Sequence, residues 1–297
     1  MPIEPSFLDE LARLEASLTR QTDSRRRGEQ ESPDVGEGLT FSDYRRYTPG
    51  DDVRLVDWRV YARTDEYFIK QYEAERNLTV HVLLDTSASM DFGDEGEHKF
   101  AFGARFALAF AYFAAAGHDS FRVSTIGTDV ERLDRGRSTR GELLALLDRL
   151  NEVDPDGRTD VAEALATYAK TIRSRSLVVV VSDFIDDPDA IEDGLAALGR
   201  SDVLLVQVVA PAERDPDVAG DAVFEDPETG TTQRAYFAGS TAESYRDRLE
   251  AHIDDVAARA RRLRADHVVV DTDADFFESF AEVWRRQDER ERRRRRR

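Results

Sequence analysis

From Leu78 onward, short runs of Val, Ile and Leu alternate with longer segments whose apolar residues recur at helical spacing. Near-continuous apolar runs are typical of parallel strands that are covered on both faces. The predicted strands are 79–84, 121–126, 177–182, 203–209 and 267–271. The predicted helices between and after them are 99–116, 139–150, 160–173, 188–198 and 242–264. This alternation predicts an α/β fold with a doubly wound, mostly parallel sheet.

Two segments depart from the alternation. Residues 129–133 follow the strand 121–126 after the dipeptide Gly127-Thr128, and a two-residue, Gly-led loop is typical of a hairpin. We therefore predict one antiparallel edge strand. A second hairpin is predicted over 222–237, around Asp226-Pro227-Glu228-Thr229-Gly230. Because it follows the strand 203–209, it should lie at the carboxyl edge of the sheet.

Composition divides the chain into four predicted segments. Residues 1–38 form a small N-terminal extension, with a helix over 5–20 and a polar linker over 21–38. Residues 39–76 form a block rich in Arg, Asp and Trp, with a strand over 67–73. Residues 77–274 hold the α/β domain, and 275–297 a helix and an arginine tail. With 297 residues, 40% of them hydrophobic, the chain can bury a sizeable core.

Charge and cysteine content exclude several kinds of site. No cysteine occurs, so disulfides and Cys-ligated metals are excluded. The formal net charge is -19, which disfavours a nucleic-acid binder because phosphate attraction needs a basic surface. Lysine occurs three times among 42 Lys and Arg residues. Heavy acidity with few lysines predicts a halophilic, haloarchaeal protein, since molar salt shortens the Debye length to about 3 Å. A high-GC genome that favours Arg codons is the alternative.

The sequence also favours a cytoplasmic location. Its start, Met1-Pro2-Ile3-Glu4-Pro5, lacks the charged region and apolar core of a signal peptide. The apolar stretch 100–116 is interrupted by Gly103 and Arg105, which is more typical of a buried helix than of a membrane span. We therefore expect no membrane span. The terminal run 292–297 is predicted to be a solvated charge run, with contact to acidic partners as the alternative.

Oxygen-bearing side chains lie at the predicted carboxyl ends of the strands. Asp85-Thr86-Ser87-Ala88-Ser89 leaves the first strand of the alternating unit, Thr159 precedes a helix, and Asp183 follows the strand 177–182. Ligands of such sheets bind beyond these ends, so we expect the three loops to converge. Carboxylates and hydroxyls suit a hard cation, Mg²⁺ first and Mn²⁺ or Ca²⁺ as alternatives. The predicted metal ligands are Asp85, Ser87, Ser89, Thr159 and Asp183.

Each of these residues also has a purely structural interpretation. Ser87 or Ser89 is a suitable helix N-cap. Asp160-x-x-Glu163 is a capping box, which would make Thr159 only part of a helix start. In the loop that Asp183 opens, Asp187-Pro188 resembles an N-cap followed by proline in the first turn. Their combination, in this order on the strand ends, favours the metal site.

Two resemblances extend this interpretation. Asp85-x-Ser87-x-Ser89, followed by Thr159 and Asp183, resembles the metal-ion-dependent adhesion site of von Willebrand factor A domains. The upstream block resembles the signature of the "domain of unknown function 58" family through Phe41, Arg45-Arg46-Tyr47, Pro49-Gly50-Asp51-Asp52, Arg54, Asp57-Trp58, Ala62-Arg63 and Lys70. The resemblance covers residues 41–273. It implies a von Willebrand A, Rossmann-like fold and a MoxR-type AAA+ ATPase as partner. Many relatives begin with membrane-spanning helices, which this sequence does not show.

Acidic and basic residues interleave in the block 39–76. A charge-assisted network is predicted among Asp51, Asp52, Asp57, Arg45, Arg46, Arg54, Arg59 and Arg63. Trp58 and Tyr61 should anchor it by burial. We interpret the block mainly as a buttress at the sheet edge, with one face open to a partner.

Other patterns give weaker signals. Asp271, Asp273, Asp275 and Glu282 match EF-hand spacing, but Phe276 stands where that loop needs glycine. The acidic residues between 91 and 97 are better explained by an exposed loop than by a second cation site. The five histidines lack zinc spacing, and neither a Gly-x-Ser-x-Gly elbow nor a P-loop occurs.

Together these features predict a non-enzymatic, metal-dependent protein-interaction module whose partner supplies an Asp or Glu to the metal. The alternative is a metal-dependent phosphoryl hydrolase that uses Asp85 as nucleophile. Such phosphatases need a second Asp two residues later, where this chain has Ser87. A third hypothesis is an assembly factor held at a membrane through another subunit.

Overall fold

The computed structural model describes residues 2–26, 39–48, 51, 56–74, 78–94, 96–216, 218 and 220–295. Its contacts divide the chain into two units, Met1–Gln21 with Leu78–Arg297, and Thr22–Asn77. The strands are β1 (Leu39–Arg46), β2 (Phe68–Ala74), β3 (Thr79–Asp85), β4 (Ser120–Ile126), β5 (Val130–Arg132), β6 (Leu177–Ser182), β7 (Asp202–Val209), β8 (Gly220–Glu225), β9 (Thr232–Phe237) and β10 (Asp266–Asp271). The helices are α1 (Ser6–Arg26), α2 (Trp58–Thr64), α3 (Lys99–Ala116), α4 (Arg140–Asn151), α5 (Val161–Ala169), α6 (Pro188–Ala197), α7 (Pro211–Arg214), α8 (Ser240–Arg262) and α9 (Phe276–Arg295).

A six-stranded sheet forms the centre of the first unit, in the order β10-β7-β6-β3-β4-β5. Its neighbouring strands are parallel except β4 and β5, which pair antiparallel. The predicted doubly wound sheet with one antiparallel edge strand is therefore confirmed. The chain runs from β3 to β4 on one side and later returns to β6 on the other. The loops after β3 and β6 therefore leave the sheet side by side.

Both faces of this sheet are covered by apolar side chains. Because side chains alternate along a strand, Val82 and Leu84 of β3 join the cluster under α1, α3, α4 and α9, whereas Leu83 joins the cluster under α5, α6 and α8. Buried apolar side chains run along nearly all of α3, as its composition predicts. Among the described helices, α3 alone is long and apolar enough for a membrane span by length and composition, and most of it is buried inside the protein.

The terminal helices pack into this core. Phe7 of α1 and Phe276 of α9 meet edge to face with ring centroids 5.2 Å apart, and Phe280 is fully buried among the aromatic rings of α3. From the sequence we predict that 1–38 and 275–297 lie outside the domain 77–274. In the structure, Phe7 and Phe276 of these segments belong to the core cluster of the domain. The predicted linker starts at residue 21, whereas α1 continues to Arg26. Residues 27–38 lie outside the described residues.

The second unit contains the antiparallel pair β1 and β2 with helix α2. Asp51 accepts two hydrogen bonds from the Arg45 guanidinium, at 3.0 and 2.9 Å, as the predicted charge network requires. Asp57 caps α2 by accepting from the backbone N–H of Arg59 at 2.9 Å. Asp52 and Arg54 lie outside the described residues.

The predicted burial of Trp58 is wrong, because its side chain is 59% exposed. Trp58 begins α2, a helix with no buried residue, and its ring meets Tyr61 and Tyr67 edge to face at 6.1 and 6.4 Å. Tyr61, which is half-buried, stacks on Tyr67 at 4.5 Å. The aromatic residues of this block therefore pack on one another at the surface.

Two strand histidines should make the protein sensitive to acid. Burial lowers the pKa of His81 and of His267 from 6.5 to about 4. The folded protein therefore holds both rings neutral, while the unfolded chain takes up protons below pH 6.5. Stability is lost as the pH falls from 6.5 towards 4, by about 2–3 kcal/mol per histidine. His267 faces Gln207 Oε1 at 2.9 Å, a partner that a glutamine amide can also bind.

We expect wild type to lose about 2–3 kcal/mol more stability than His267→Gln between pH 7 and pH 4. Urea denaturation of both proteins at each pH measures this difference. The comparison cancels the contributions of all other titrating groups, since the two proteins share them. An equal loss in the two proteins would contradict the prediction.

Candidate metal centre

Three loops meet at the carboxyl edge of the central sheet. The loop that follows β3 is tied to the end of β4, because Thr86 N–H donates to the Ile126 carbonyl at 2.9 Å. It is also tied to the loop before α5, because Ala88 N–H donates to the Gly157 carbonyl at 2.9 Å. These backbone bonds fix the 85–89 loop beside Thr159, as the topology predicts.

Asp85 lies at the centre of the site and is 2% exposed. Its Oδ1 accepts from Ser87 N–H at 2.9 Å and from Thr159 Oγ1 at 2.8 Å, and its Oδ2 accepts from Ser182 Oγ at 2.6 Å. Burial, together with the nearby charge of Asp183, raises the pKa of the Asp85 carboxyl. The site therefore surrounds a buried carboxylate with hydroxyl groups.

The other predicted hydroxyls also face this site. Ser87 Oγ and Ser89 Oγ lie 2.9 Å apart. Ser87 precedes the short 3-10 helix Ala88–Met90, but its side chain makes no capping bond. The capping interpretation is therefore wrong for Ser87.

At α5 the two interpretations apply to neighbouring residues. Asp160 caps the helix by accepting from Glu163 N–H at 2.9 Å. Thr159, one residue earlier, donates to Asp85 instead. In the same way, Asp187 caps α6 by accepting from Asp189 N–H at 3.0 Å, which does not involve Asp183.

Asp183 is buried at the same edge and is held by other partners. Its Oδ1 accepts from Ile185 N–H at 3.1 Å, and its Oδ2 accepts from Lys99 Nζ at 2.7 Å. Gln207 Nε2 donates to its backbone carbonyl at 2.8 Å. Asp183 therefore contributes its charge to the site while one of its oxygens binds an ammonium group.

Lys99 is fully buried and also binds Glu213 Oε1 at 2.5 Å. Burial alone would lower its pKa, but the charges of Asp183 and Glu213 raise the pKa of Lys99 above its ordinary value. Burial also raises the pKa of Glu213. Three acidic side chains, Asp85, Asp183 and Glu213, therefore share a buried region with one ammonium group.

The donor set fits a hard cation. Asp85 and the hydroxyls of Ser87, Ser89 and Thr159 supply oxygen atoms alone, which is what Mg²⁺ and related ions prefer. Among the described residues, no group of three or more His, Cys, Asp or Glu side chains is placed to hold a metal. The candidate site therefore consists of one carboxyl group with hydroxyls around it rather than a cluster of acidic side chains.

The weaker cation candidates have structural explanations. Asp271 pairs with Arg214 at 2.7 Å, and Asp275 accepts from Glu278 N–H at 2.8 Å at the start of α9. In the acidic loop, Asp91 pairs with His98 at 2.9 Å, and Glu95 lies outside the described residues.

Sequence reasoning missed three site residues. Ser182 had a usable signal, because it ends β6 directly before Asp183. Lys99 had one too, since a lysine at the first position of an apolar helix needs a buried partner. Glu213 lies 114 residues from Lys99, and nothing in its local sequence indicates the contact.

The chain is similar to known proteins in sequence and in structure. The profile of the family described as "Protein of unknown function DUF58" matches residues 43–273. An uncharacterized protein of Mycobacterium tuberculosis is 28% identical over 278 residues, which cover 92% of this chain and 87% of that protein. Among solved structures, the conserved hypothetical protein BatB from Bacteroides thetaiotaomicron is similar with a TM-score of 0.45 and 13% identity, covering 71% of this chain and 99% of that one. A von Willebrand factor type A protein from Catenulispora acidiphila has a TM-score of 0.42 and 13% identity, covering 71% of this chain and 42% of that one.

Proposed function

The chain belongs to the family described as Protein of unknown function DUF58, and from the geometry of its polar site we propose that it is a non-enzymatic, divalent-metal-dependent protein-interaction module. The observation that carries the proposal is Asp85, a buried carboxyl group enclosed by hydroxyls. Ser87, Ser89 and Thr159 would hold Mg²⁺, with Mn²⁺ or Ca²⁺ as alternatives, together with Asp85. Asp183 would act through its charge, since Lys99 occupies one of its oxygens.

The chemistry of this donor set supports a carboxylate as the partner group. Hydroxyl ligands are neutral, so the ion would keep much of its positive charge at the surface-facing side of the site. When bound, Mg²⁺ would accept an oxygen from an Asp or Glu of a protein partner, because hard cations prefer such ligands. The loop after β6 and the β8–β9 hairpin leave the same region and would select the partner.

The hydrolase alternative has less support from the geometry. A nucleophilic carboxylate needs an oxygen that can approach the phosphorus atom, but Asp85 is 2% exposed and both of its oxygens accept hydrogen bonds. Ser87 stands where the second acid would be needed. Turnover of a generic phosphate ester that Asp85→Asn abolishes would support the alternative.

The proposal extends to partner and location. The family resemblance supports a MoxR-type AAA+ ATPase as the partner, in the assembly or activation of other proteins in the cytoplasm. The net charge of -19 supports a halophilic protein, because concentrated salt screens such self-repulsion.

Calorimetric titration with Mg²⁺ tests the metal site. We expect Ser87→Ala to weaken Mg²⁺ binding about tenfold or more, since it removes one ligand oxygen. The matched control is Ser138→Ala, whose hydroxyl donates to the Asp119 carbonyl at 3.2 Å, next to the opposite end of β4. The control should bind like wild type. Unchanged affinity in both Ser87→Ala and Asp183→Ala, with the fold retained, would refute the proposal.

Affinity capture tests the partner. In high salt, wild type with Mg²⁺ should retain a MoxR-type ATPase, while wild type with EDTA and Asp85→Ala with Mg²⁺ should not. Equal retention in all three samples would show that the interaction does not use the metal site.

A further inference from the structure

The loop after β6 contains a residue in a strained backbone conformation. Phe184, which directly follows Asp183, has a φ of 51°, in the left-handed region that residues other than glycine rarely adopt. Such a conformation persists only where the surrounding structure holds it, and residues of this kind concentrate at functional sites. The contacts that hold Phe184 therefore bear on the candidate site.

The side chain and both backbone polar groups of Phe184 are held in place. The side chain is fully buried in the same apolar cluster as Val256 of α8. The backbone N–H donates to Ser182 Oγ at 2.9 Å. The carbonyl oxygen lies 2.7 Å from Nε2 of His252, which is also on α8. Because a carbonyl oxygen can only accept, His252 Nε2 carries the proton of this hydrogen bond.

Ser182 connects this loop to the metal centre. Its hydroxyl accepts from Phe184 N–H, so its single proton is available for Asp85 Oδ2, to which it donates at 2.6 Å. The other oxygen of Asp85 accepts from Ser87 N–H and from Thr159 Oγ1. Among the described residues, Ser182 is the one donor to Oδ2. Ser182 therefore helps to set the orientation of the central carboxyl group.

We propose that His252 is a positioning residue of the metal centre, which acts on Asp85 through Phe184 and Ser182. This inference rests on the proposed function of the site. Hydrogen bonds of 2.7, 2.9 and 2.6 Å link the imidazole, the Phe184 peptide groups, the Ser182 hydroxyl and the Asp85 carboxyl group in that order. Without the imidazole, the strained Phe184 backbone would relax, and the Ser182 hydroxyl would lose its fixed direction.

Calorimetric titration of the full chain with Mg²⁺ tests the inference. We expect His252→Leu, which removes the donor, to weaken Mg²⁺ binding about tenfold, as is usual when a group that orients a metal ligand is lost. His252→Gln should bind like wild type, because a glutamine amide can also donate to the Phe184 carbonyl. The matched control is Ile253→Ala, which trims the next half-buried side chain of α8. It should lower stability in urea denaturation but leave Mg²⁺ affinity unchanged.

A double-variant cycle tests the chain of hydrogen bonds itself. Ser182→Ala should weaken Mg²⁺ binding about tenfold or more, since it removes the donor to Asp85. Adding His252→Leu to Ser182→Ala should cause little further loss, because both substitutions break the same chain. If His252 only docked α8 against the sheet, any losses in the two single variants would multiply in the double variant.

The outcomes separate this inference from the proposed function. If wild type binds Mg²⁺ and folded His252→Leu binds it equally well, the positioning role is refuted and the metal site stands. An equal loss of affinity in His252→Leu and Ile253→Ala would also refute the role, because it would reflect the packing of α8. If wild type does not bind Mg²⁺, both proposals fail.

Discussion

Replacing Lys99 by methionine should lower the free energy of unfolding by about 3–5 kcal/mol in metal-free buffer. The substitution keeps the length and apolar stem of the side chain but removes the ammonium that binds Asp183 at 2.7 Å and Glu213 at 2.5 Å. Both carboxylates would then lie buried without their counter-charge. Urea denaturation in the presence of EDTA measures the loss.

Two further variants show whether the loss comes from charge. Lys170→Met, an exposed lysine at the end of α5, should change stability by less than about 0.5 kcal/mol. Adding Glu213→Gln to Lys99→Met should restore part of the stability, because it removes one of the unpaired charges. If Lys99→Met were as stable as Lys170→Met, the buried ion triad would have no energetic role.

The same variant links the triad to the metal centre. Without Lys99, a divalent cation would be the remaining charge able to neutralise Asp85 and Asp183 together. Mg²⁺ should therefore stabilise Lys99→Met more than it stabilises wild type. A smaller effect of Mg²⁺ on the variant would indicate that Lys99 helps to form the metal site rather than substituting for its charge.

The fold could be predicted because its signals are local. The predicted helix 99–116 coincides with α3, since its apolar residues begin and end with the helix. By contrast, α5 ends at Ala169 rather than at residue 173. Thr171 makes both backbone and side-chain bonds to the Tyr168 carbonyl, which close the last turn early. Such competing side-chain bonds leave no trace in apolar spacing.

In the candidate site, too, local sequence signals predict some residues, whereas other contacts depend on the packing of distant elements. The 85–89 loop and Asp183 could be placed together because they follow β3 and β6, which are neighbours in the sheet. The contact between Lys99 and Asp183 spans 84 residues, and its formation depends on how α3 crosses the sheet. No periodicity encodes that crossing. The prediction that Trp58 is buried was wrong for a related reason, since the surroundings of this side chain depend on the path of a short helix.

Asp85→Asn should separate metal binding from folding. The substitution keeps the shape of the side chain and one accepting oxygen, while it removes the central negative charge. We expect Mg²⁺ affinity to fall about a hundredfold. At a Mg²⁺ concentration of about 100 times the wild-type Kd, the ion would stabilise wild type by about 2.7 kcal/mol and the variant by about 0.4 kcal/mol.

Without metal, Asp85→Asn should not be less stable than wild type, although it binds Mg²⁺ more weakly. Burial and the charge of Asp183 raise the pKa of Asp85, so the ionised carboxylate is unfavourable in the folded state at neutral pH. Asp85→Asn removes that penalty and should be at least as stable as wild type in EDTA, although it is less stable in Mg²⁺.

The matched control is Asp193→Asn, which changes an exposed aspartate on α6 and should respond to Mg²⁺ like wild type. Thermal denaturation of the three proteins with and without Mg²⁺ measures both effects. Equal stabilisation of wild type and Asp85→Asn by Mg²⁺ would place the cation elsewhere. If wild type is the more stable protein in Mg²⁺ but not in EDTA, Asp85 must bind the cation.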